Sequence, residues 1–211
     1  MADNYLGKKM EEYYARPAQR KTHTRASLEQ LLLKNRSYRG YDPSYVVRED
    51  QLRRIIAVNT SLPSACNQQV LRFRAVLSDE ANRLLPHLRF GGALSGERLP
   101  LAGREPRAFI IICSTVEEGR YVDIDLGISA QSMLLQAVEI GLNGICLGAF
   151  DREVVQREFA LPYPPLLILA LGKGAEQIRL TEIGAHESHN YYREEGVHYV
   201  PKVRLEELLL K

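Results

Sequence analysis

The stretch DIDLGISAQSMLLQAVEIG, Asp123–Gly141, decides the fold. Its apolar positions fall almost all round a helix. Gly127, Ala130 and Ala137 keep that helix slim, and Gly141 is a natural C-terminal stop. A helix apolar on every face must be covered on every face, so it is the spine of the core, packed in part against its own symmetry mate. Outward from it, Ile145–Leu147 reads as a short strand and Leu166–Leu171 as a buried one. Ala108–Cys113 is a continuous apolar run of strand length, placed centrally. In Val70–Leu77, Leu71, Phe73, Ala75 and Leu77 alternate with Arg72 and Arg74, the pattern of a half-buried strand. Shorter helices fit Ser27–Leu33, capped by Ser27 with Gln30, and Val46–Val58, capped by Asp50. Two more fit near Asp79–Leu88 and over Arg152–Phe159. Strands and helices mix without a regular βαβα rhythm, which predicts an α+β protein with helices flanking a mainly antiparallel sheet.

The 211 residues suit one domain that buries a real core without staples. The 28 basic and 26 acidic residues are closely mixed and leave a net charge of +2, which argues against a polyanionic main partner such as nucleic acid. No apolar run approaches the roughly 20 residues that span a bilayer, and the charged start of the chain has no signal-peptide pattern. Cys66, Cys113 and Cys146 are scattered singly with apolar neighbours, as expected of buried thiols in a reducing compartment, the cytoplasm. Three parts are expected: a tyrosine-bearing arm over 1–26, a body over 27–183, and a tail over 184–211 that packs on the body or on a partner subunit. Residues 89–107, rich in Gly, Pro and Arg, read as a long loop.

Four short segments carry candidate chemistry. Asn35-Arg36-Ser37-Tyr38-Arg39 sets two guanidiniums and a hydroxyl in five residues, a compact reader of phosphate or carbonyl oxygens. The same residues also suit a solvated helix end. Pro63-Ser64-Ala65-Cys66-Asn67-Gln68-Gln69 offers small residues and amides to a flat, amide-rich ring edge, though an ordinary Asx turn has the same composition. Gly144–Phe150 is a glycine-bounded strand that lacks the GxGxxG of a dinucleotide groove. Leu171-Gly172-Lys173, followed by Arg179, is a candidate phosphate contact. Of the five histidines only His186 and His189 lie close together, and a surface tail explains them better than a metal site.

In this order the segments resemble the nitroreductase family. The family pattern runs from Arg-Arg-Ser-x-Arg through Pro-Ser-x-x-Asn-x-Gln and an Asp-led central helix ending near Gly-Leu-Gly. A Gly-Gly-Phe strand end, a strand closing in Leu-Gly and a late arginine follow. This chain supplies Arg36-Ser37-Tyr38-Arg39, Pro63 to Gln69, Asp123 to Gly144, Gly148-Ala149-Phe150, Leu169 to Gly172, and Arg179. Asn35 stands where an arginine is usual, Val70-Leu71 replaces Pro-Trp, and Gln177 stands where some members have lysine.

The resemblance implies an FMN-dependent oxidoreductase. It would pass a hydride from NAD(P)H through flavin N5 to an electron-poor small molecule, a nitroaromatic or quinone, by a ping-pong mechanism. FMN would lie at the interface of a homodimer. Arg36, Ser37 and Arg39 would hold it, with Arg39 at the pyrimidine edge, and Arg179 would bind the phosphate. Pro63, Ser64 and Asn67 of the second subunit would lie against the ring, supported by Gln69, while the backbone at Leu147, Gly148 and Ala149 approaches N5. The same fold also serves dehalogenases and flavin-consuming enzymes, for which loop 89–107 is the place to look, and non-catalytic FMN-binding proteins.

Overall fold

The computed structural model describes residues 26–91, 94 and 99–210; the N-terminal arm and part of loop 89–107 lie outside the described residues. The main sheet contains β1 (Leu71–Val76), β2 (Ala108–Ser114), β3 (Asn143–Leu147) and β4 (Pro165–Gly172). Their order is β1-β2-β4-β3, and every neighbouring pair is antiparallel. β2 is buried along its whole length, as its unbroken apolar run requires, and its alternating side chains build two separate cores. Phe109, Ile111 and Cys113 join Val76, Ile145, Ile168 and Ala170 on one face. Ala108, Ile110 and Ile112 join Leu169 and Leu171 on the other.

Each core is closed by helices. On the first face sit α3 (Ala81–Leu84), through Ala81 and Leu84, and α5 (Arg152–Glu158), through Val155. On the second sit α2 (Glu49–Ala57), through Leu52 and Ile55, and α4 (Arg120–Glu139), through Ala130, Met133, Leu134 and Ala137. α1 (Leu28–Lys34) has no buried residue; Ser27 and Gln30 form the expected capping box at its start. The cap of α2 is not Asp50. Arg48 takes the N-cap position, its N–H donating to Gln51 Oε1 at 3.0 Å, while Asp50 accepts two bonds from the Arg48 guanidinium. Asp50 therefore lies inside the first turn, where a carboxylate suits the helix dipole.

Among the described residues, α4 is covered on one side only. Val122, Asp125, Ser129, Ala130, Met133, Leu134 and Ala137 are buried, whereas Tyr121 is 61% and Ile124 46% exposed. The three cysteines are free, but only Cys113 is buried; Cys66 and Cys146 are exposed, because one sits in a surface loop and the other on the edge strand β3.

From Gln177 onward, at the end of the body and through the tail, the chain holds more regular structure than its sequence suggests. β5 (Gln177–Ile183), β6 (Tyr192–Glu194) and β7 (Val197–Val203) form a second sheet in the order β5-β7-β6, with β5 and β7 parallel. A short helix, α6 (Leu205–Leu208), follows. The burial of β5 is weak and irregular, so its sequence lacks the apolar alternation that marks a strand. Among the described residues, no helix is long and apolar enough to cross a membrane.

One close approach fixes the edge of the main sheet. A Cβ on Gly144 would come within 2.8 Å of the Ala170 carbonyl oxygen and 2.7 Å of Leu134 Cδ2. Gly144→Ala is expected to destabilise the fold by about 1–3 kcal/mol, the usual cost of overpacking. Urea unfolding measures it, and an unchanged midpoint would contradict the packing.

Candidate functional site

The segment from Arg36 to Tyr41 meets the open edge of β3 at Gly144 and continues to Gly174, just past the end of β4. Ser37 bridges Gly144, with the Tyr38 N–H donating to the Gly144 carbonyl at 3.2 Å, and Tyr41 bridges Gly174. The glycines admit this approach: the Tyr38 ring rests on Gly174, and the buried Tyr41 ring occupies the space a Gly172 Cβ would need. This geometry leaves Ser37 exposed and Arg36 half-buried. Arg36 donates from Nη2 to the Leu32 carbonyl at 2.6 Å, while its Nε is buried without a partner. It has no ion pair among the described residues, and burial pulls its pKa below the usual guanidinium value. A half-buried cation of this kind is a ready anion anchor. The groove beside it is lined by Leu28, Glu29, Leu32, Leu33, Leu180 and Lys202.

At the far end of β3, Leu147 is buried while Gly148 and Ala149 are exposed. The Gly148 Cα faces open space, and the Ala149 carbonyl accepts the Arg89 N–H at 3.0 Å. From Gly144 to Gly148 the strand rises about 13 Å. The edge therefore offers a cation at one end and open backbone at the other.

Arg39 is 6% exposed. Its guanidinium donates to the Phe90 carbonyl at 3.1 Å, the Ser37 carbonyl at 3.2 Å and the Tyr191 hydroxyl at 3.2 Å, and it stands 5.1 Å from the Tyr191 ring centroid. Beneath it, one oxygen of Glu176 accepts the backbone N–H of both Arg39 and Gly40, and the other accepts from Arg193 of β6.

The second group is the loop Pro63–Gln69. Cys66, Asn67 and Gln69 all have left-handed backbone, with φ of 51°, 51° and 46°, a concentration of strain typical of functional loops. The strain is held by Asp125, buried in α4. Its carboxylate accepts from Ser64 Oγ, the Ala65 N–H and Gln68 Nε2, each at 2.9 Å. Ser64 Oγ in turn accepts the Gln69 N–H at 3.0 Å, and Gln69 Nε2 donates to Asn67 Oδ1 at 2.9 Å. Pro63 and Asn67 are exposed. Burial alone would raise the Asp125 pKa, but the bonds from Gln68, Ala65 and Ser64 outweigh it and hold the carboxyl below its ordinary value. A cavity of ≈ 350 Å³ opens beside this loop, lined by Pro63, Ser64, Gln69, Phe73 and Ile128.

The two groups do not meet within the chain. The loop is tied to Asp125, and the Arg36 segment is tied to the same helix through Asn35 Nδ2, which donates to Gln131 Oε1 at 3.2 Å. Six residues of helix separate these anchors by roughly 9 Å along the axis and about 120° around it. Tyr121, Ile124 and Ile128 fill the sector between them. Arg179 is exposed on β5, without an ion pair among the described residues. It points to the strand face opposite Leu180, away from the groove of Arg36. His186 and His189 are both exposed in the turn after β5.

Three residues of the arrangement escape the sequence reading. Asp125 carries a signal, an acid on the core-facing stripe of an otherwise apolar helix. Glu176 and Tyr191 carry none, because their partners lie 137 and 152 residues away in the chain.

The fold and site define an α+β protein with a cationic sheet edge on one side of a central helix and a strained polar loop on the other. The chain belongs to the nitroreductase family: residues 32–173 match the Nitroreductase family model. Solved structures share the fold. A nitroreductase family protein from Clostridium difficile is 23% identical, with 72% of this chain and 86% of that chain covered and a TM-score of 0.56. One from Streptococcus pneumoniae is 15% identical over 72% and 93% of the two chains, with a TM-score of 0.61. A nitroreductase from Exiguobacterium sibiricum, described in complex with FMN, is 17% identical over 72% and 90%, with a TM-score of 0.59. No curated protein matches the chain.

Asp125→Asn is expected to loosen the Pro63–Gln69 loop and to lower stability by about 1.5–3 kcal/mol, the range for hydrogen bonds to a charged group. Because the folded pKa lies below the unfolded value of about 3.9, the carboxylate's contribution is complete above that value and is lost as pH falls through the depressed one. The variant should therefore show a shallower loss of stability in acid than the wild type. Thermal unfolding from pH 6 down to pH 2.5 measures both effects, and parallel curves would remove Asp125 from this role.

Proposed function

We propose that the chain is an FMN-dependent oxidoreductase that moves a hydride from NAD(P)H to an electron-poor small molecule, such as a nitroaromatic or a quinone, and that it works as a homodimer. The observation that carries this reading is Arg36, a half-buried cation with an unpartnered Nε at the head of a strand edge that ends in open backbone at Gly148. Such an edge suits a molecule with a phosphate at one end and a flat ring at the other. Family membership and the FMN complex of the Exiguobacterium sibiricum protein support FMN as that molecule. A structural neighbour from Staphylococcus epidermidis, described as an NAD(P)H:FMN oxidoreductase, supports the electron donor.

When bound, FMN supplies the redox chemistry by accepting and releasing a hydride at N5. The chain's part is to hold and orient it. In this reading Arg36 and Ser37 take the phosphate and ribityl oxygens, and Leu147, Gly148 and Ala149 present backbone to the ring. Arg39 directs its charge toward the pyrimidine edge. Lys202 shares the groove of Arg36, so we assign it to the phosphate ahead of Arg179. A second copy seated on Tyr121, Ile124 and Ile128 would cover the apolar sector of α4. It would also bring its Pro63, Ser64 and Asn67, steadied by Gln69, to the ring held by the first copy.

The purified protein is expected to take up FMN in preference to FAD, and NADH should bleach the bound flavin under anaerobic conditions. A bound flavin that NADH leaves oxidised would favour a non-catalytic FMN protein. Arg36→Ala should weaken FMN binding about ten- to hundredfold, the equivalent of one charge-assisted contact; normal affinity would remove Arg36 from the site. For the dimer, Ile124→Lys places a charge in the proposed interface and should give a monomer with impaired flavin uptake. Light scattering decides, and a wild-type protein that is already monomeric would sink the shared site.

A further inference from the structure

The matched family region ends at residue 173, yet two of the groups that hold Arg39, Glu176 and Tyr191, come from beyond it. Tyr191, just before β6, accepts from Arg39 Nη2 through its hydroxyl and stacks its ring on the same guanidinium. Glu176, only 5% exposed at its side chain, accepts the backbone N–H groups of Arg39 and Gly40 and pairs with Arg193 of β6. The small sheet is thereby latched to the segment that carries Arg36 and Ser37.

The acceptors around the Arg39 guanidinium are all neutral: two carbonyls and a phenol. No carboxylate forms an ion pair with it among the described residues. Its charge is therefore fixed in place but not cancelled. The neighbouring His198 registers that charge. It is 3% exposed, lies 5.3 Å from the Tyr191 ring, and has both ring nitrogens buried without partners. Burial first, and then the Arg39 and Arg193 guanidiniums, push its pKa down to about 4.

We infer that Tyr191, supplied by the C-terminal sheet, is a positioning residue: it holds the uncancelled charge of Arg39 where that charge stabilises the anionic, reduced form of a bound flavin over the oxidised form. This rests on the FMN reading above. The C-terminal sheet is then a tuning element for the cofactor as well as a cover for the fold.

The test uses the full-length protein loaded with FMN. Tyr191→Phe removes the hydroxyl and keeps the ring. It should lower the affinity for reduced relative to oxidised FMN three- to tenfold, a fall in midpoint potential of about 15–30 mV for a two-electron couple at 29.6 mV per tenfold. Tyr192→Phe, altering an exposed neighbour that stacks on Tyr199, should leave the potential unchanged. In an Arg39→Lys background, Tyr191→Phe should cause no further fall, because the guanidinium that Tyr191 bonds and stacks on is gone. Should Tyr191→Phe not fold, Arg193→Lys loosens the same latch while keeping its charge against Glu176, and should lower the potential in the same sense. A wild-type protein that takes up no FMN overturns the flavin reading itself. Normal FMN uptake with an unchanged potential in these variants overturns the role of Tyr191 alone, as does an undiminished Tyr191→Phe effect in the Arg39→Lys background.

Discussion

β2 is buried on both faces from Ala108 to Ser114, and most of the architecture follows from having to cover it. A strand with apolar residues at every position needs a core above and a core below, so helices must lie on both sides of the sheet. On one face the cover is thin: the two short helices α3 and α5 and the chain around Phe90. On the other it is the 20-residue α4, backed by α2. Because α4 spends one side on that core, its remaining apolar residues have nothing to cover them among the described residues. The demand for burial that organises the fold thus leaves an apolar sector between the two halves of the site.

Each half is organised by one buried carboxylate that engages backbone. Asp125 accepts the Ala65 N–H and fixes a loop with three left-handed residues. Glu176 accepts the N–H groups of Arg39 and Gly40 and fixes the sheet-edge segment. Carboxylates suit this role because each oxygen accepts several hydrogen bonds, and charge-assisted bonds to N–H groups are stronger than neutral ones. The chain keeps these anions out of the site itself. Among the described residues Arg36 has no ion pair, and the Arg39 guanidinium meets only neutral acceptors. The Arg39 guanidinium thus keeps its charge for a ligand, while Asp125 and Glu176 are engaged with other groups.

The main sheet and most of the helices were legible in the sequence because their signals are local. A continuous apolar run, a helical period and a capping box each arise from neighbours a few residues apart, as at Ala108–Cys113, Asp123–Gly141 and Ser27–Gln30. The order of the sparse motifs, from Arg36 through Pro63–Gln69 to Gly148, carried the family. The cap of α2 was misread at Asp50 because Arg48, a residue with no strong capping preference, is held there by Gln51 instead. The C-terminal sheet is not legible as a sheet, because β5, at the end of the body, alternates weakly and gains its order from a parallel partner in the tail, twenty residues on.

The sequence by itself determined the α+β class, the buried central strand and the spine helix, and it offered candidates for a phosphate and a flat ring, since each of these is written in short-range pattern. Only the tertiary structure decided which of those residues share a surface. It set Arg36 beside Lys202, turned Arg179 to the other face of its strand, gathered Ser64, Ala65 and Gln68 on Asp125, and gave Arg39 to Tyr191. The physical reason is that these contacts join residues dozens to more than a hundred positions apart. Their pairing depends on how two cores close around β2, and no local preference of either partner encodes it.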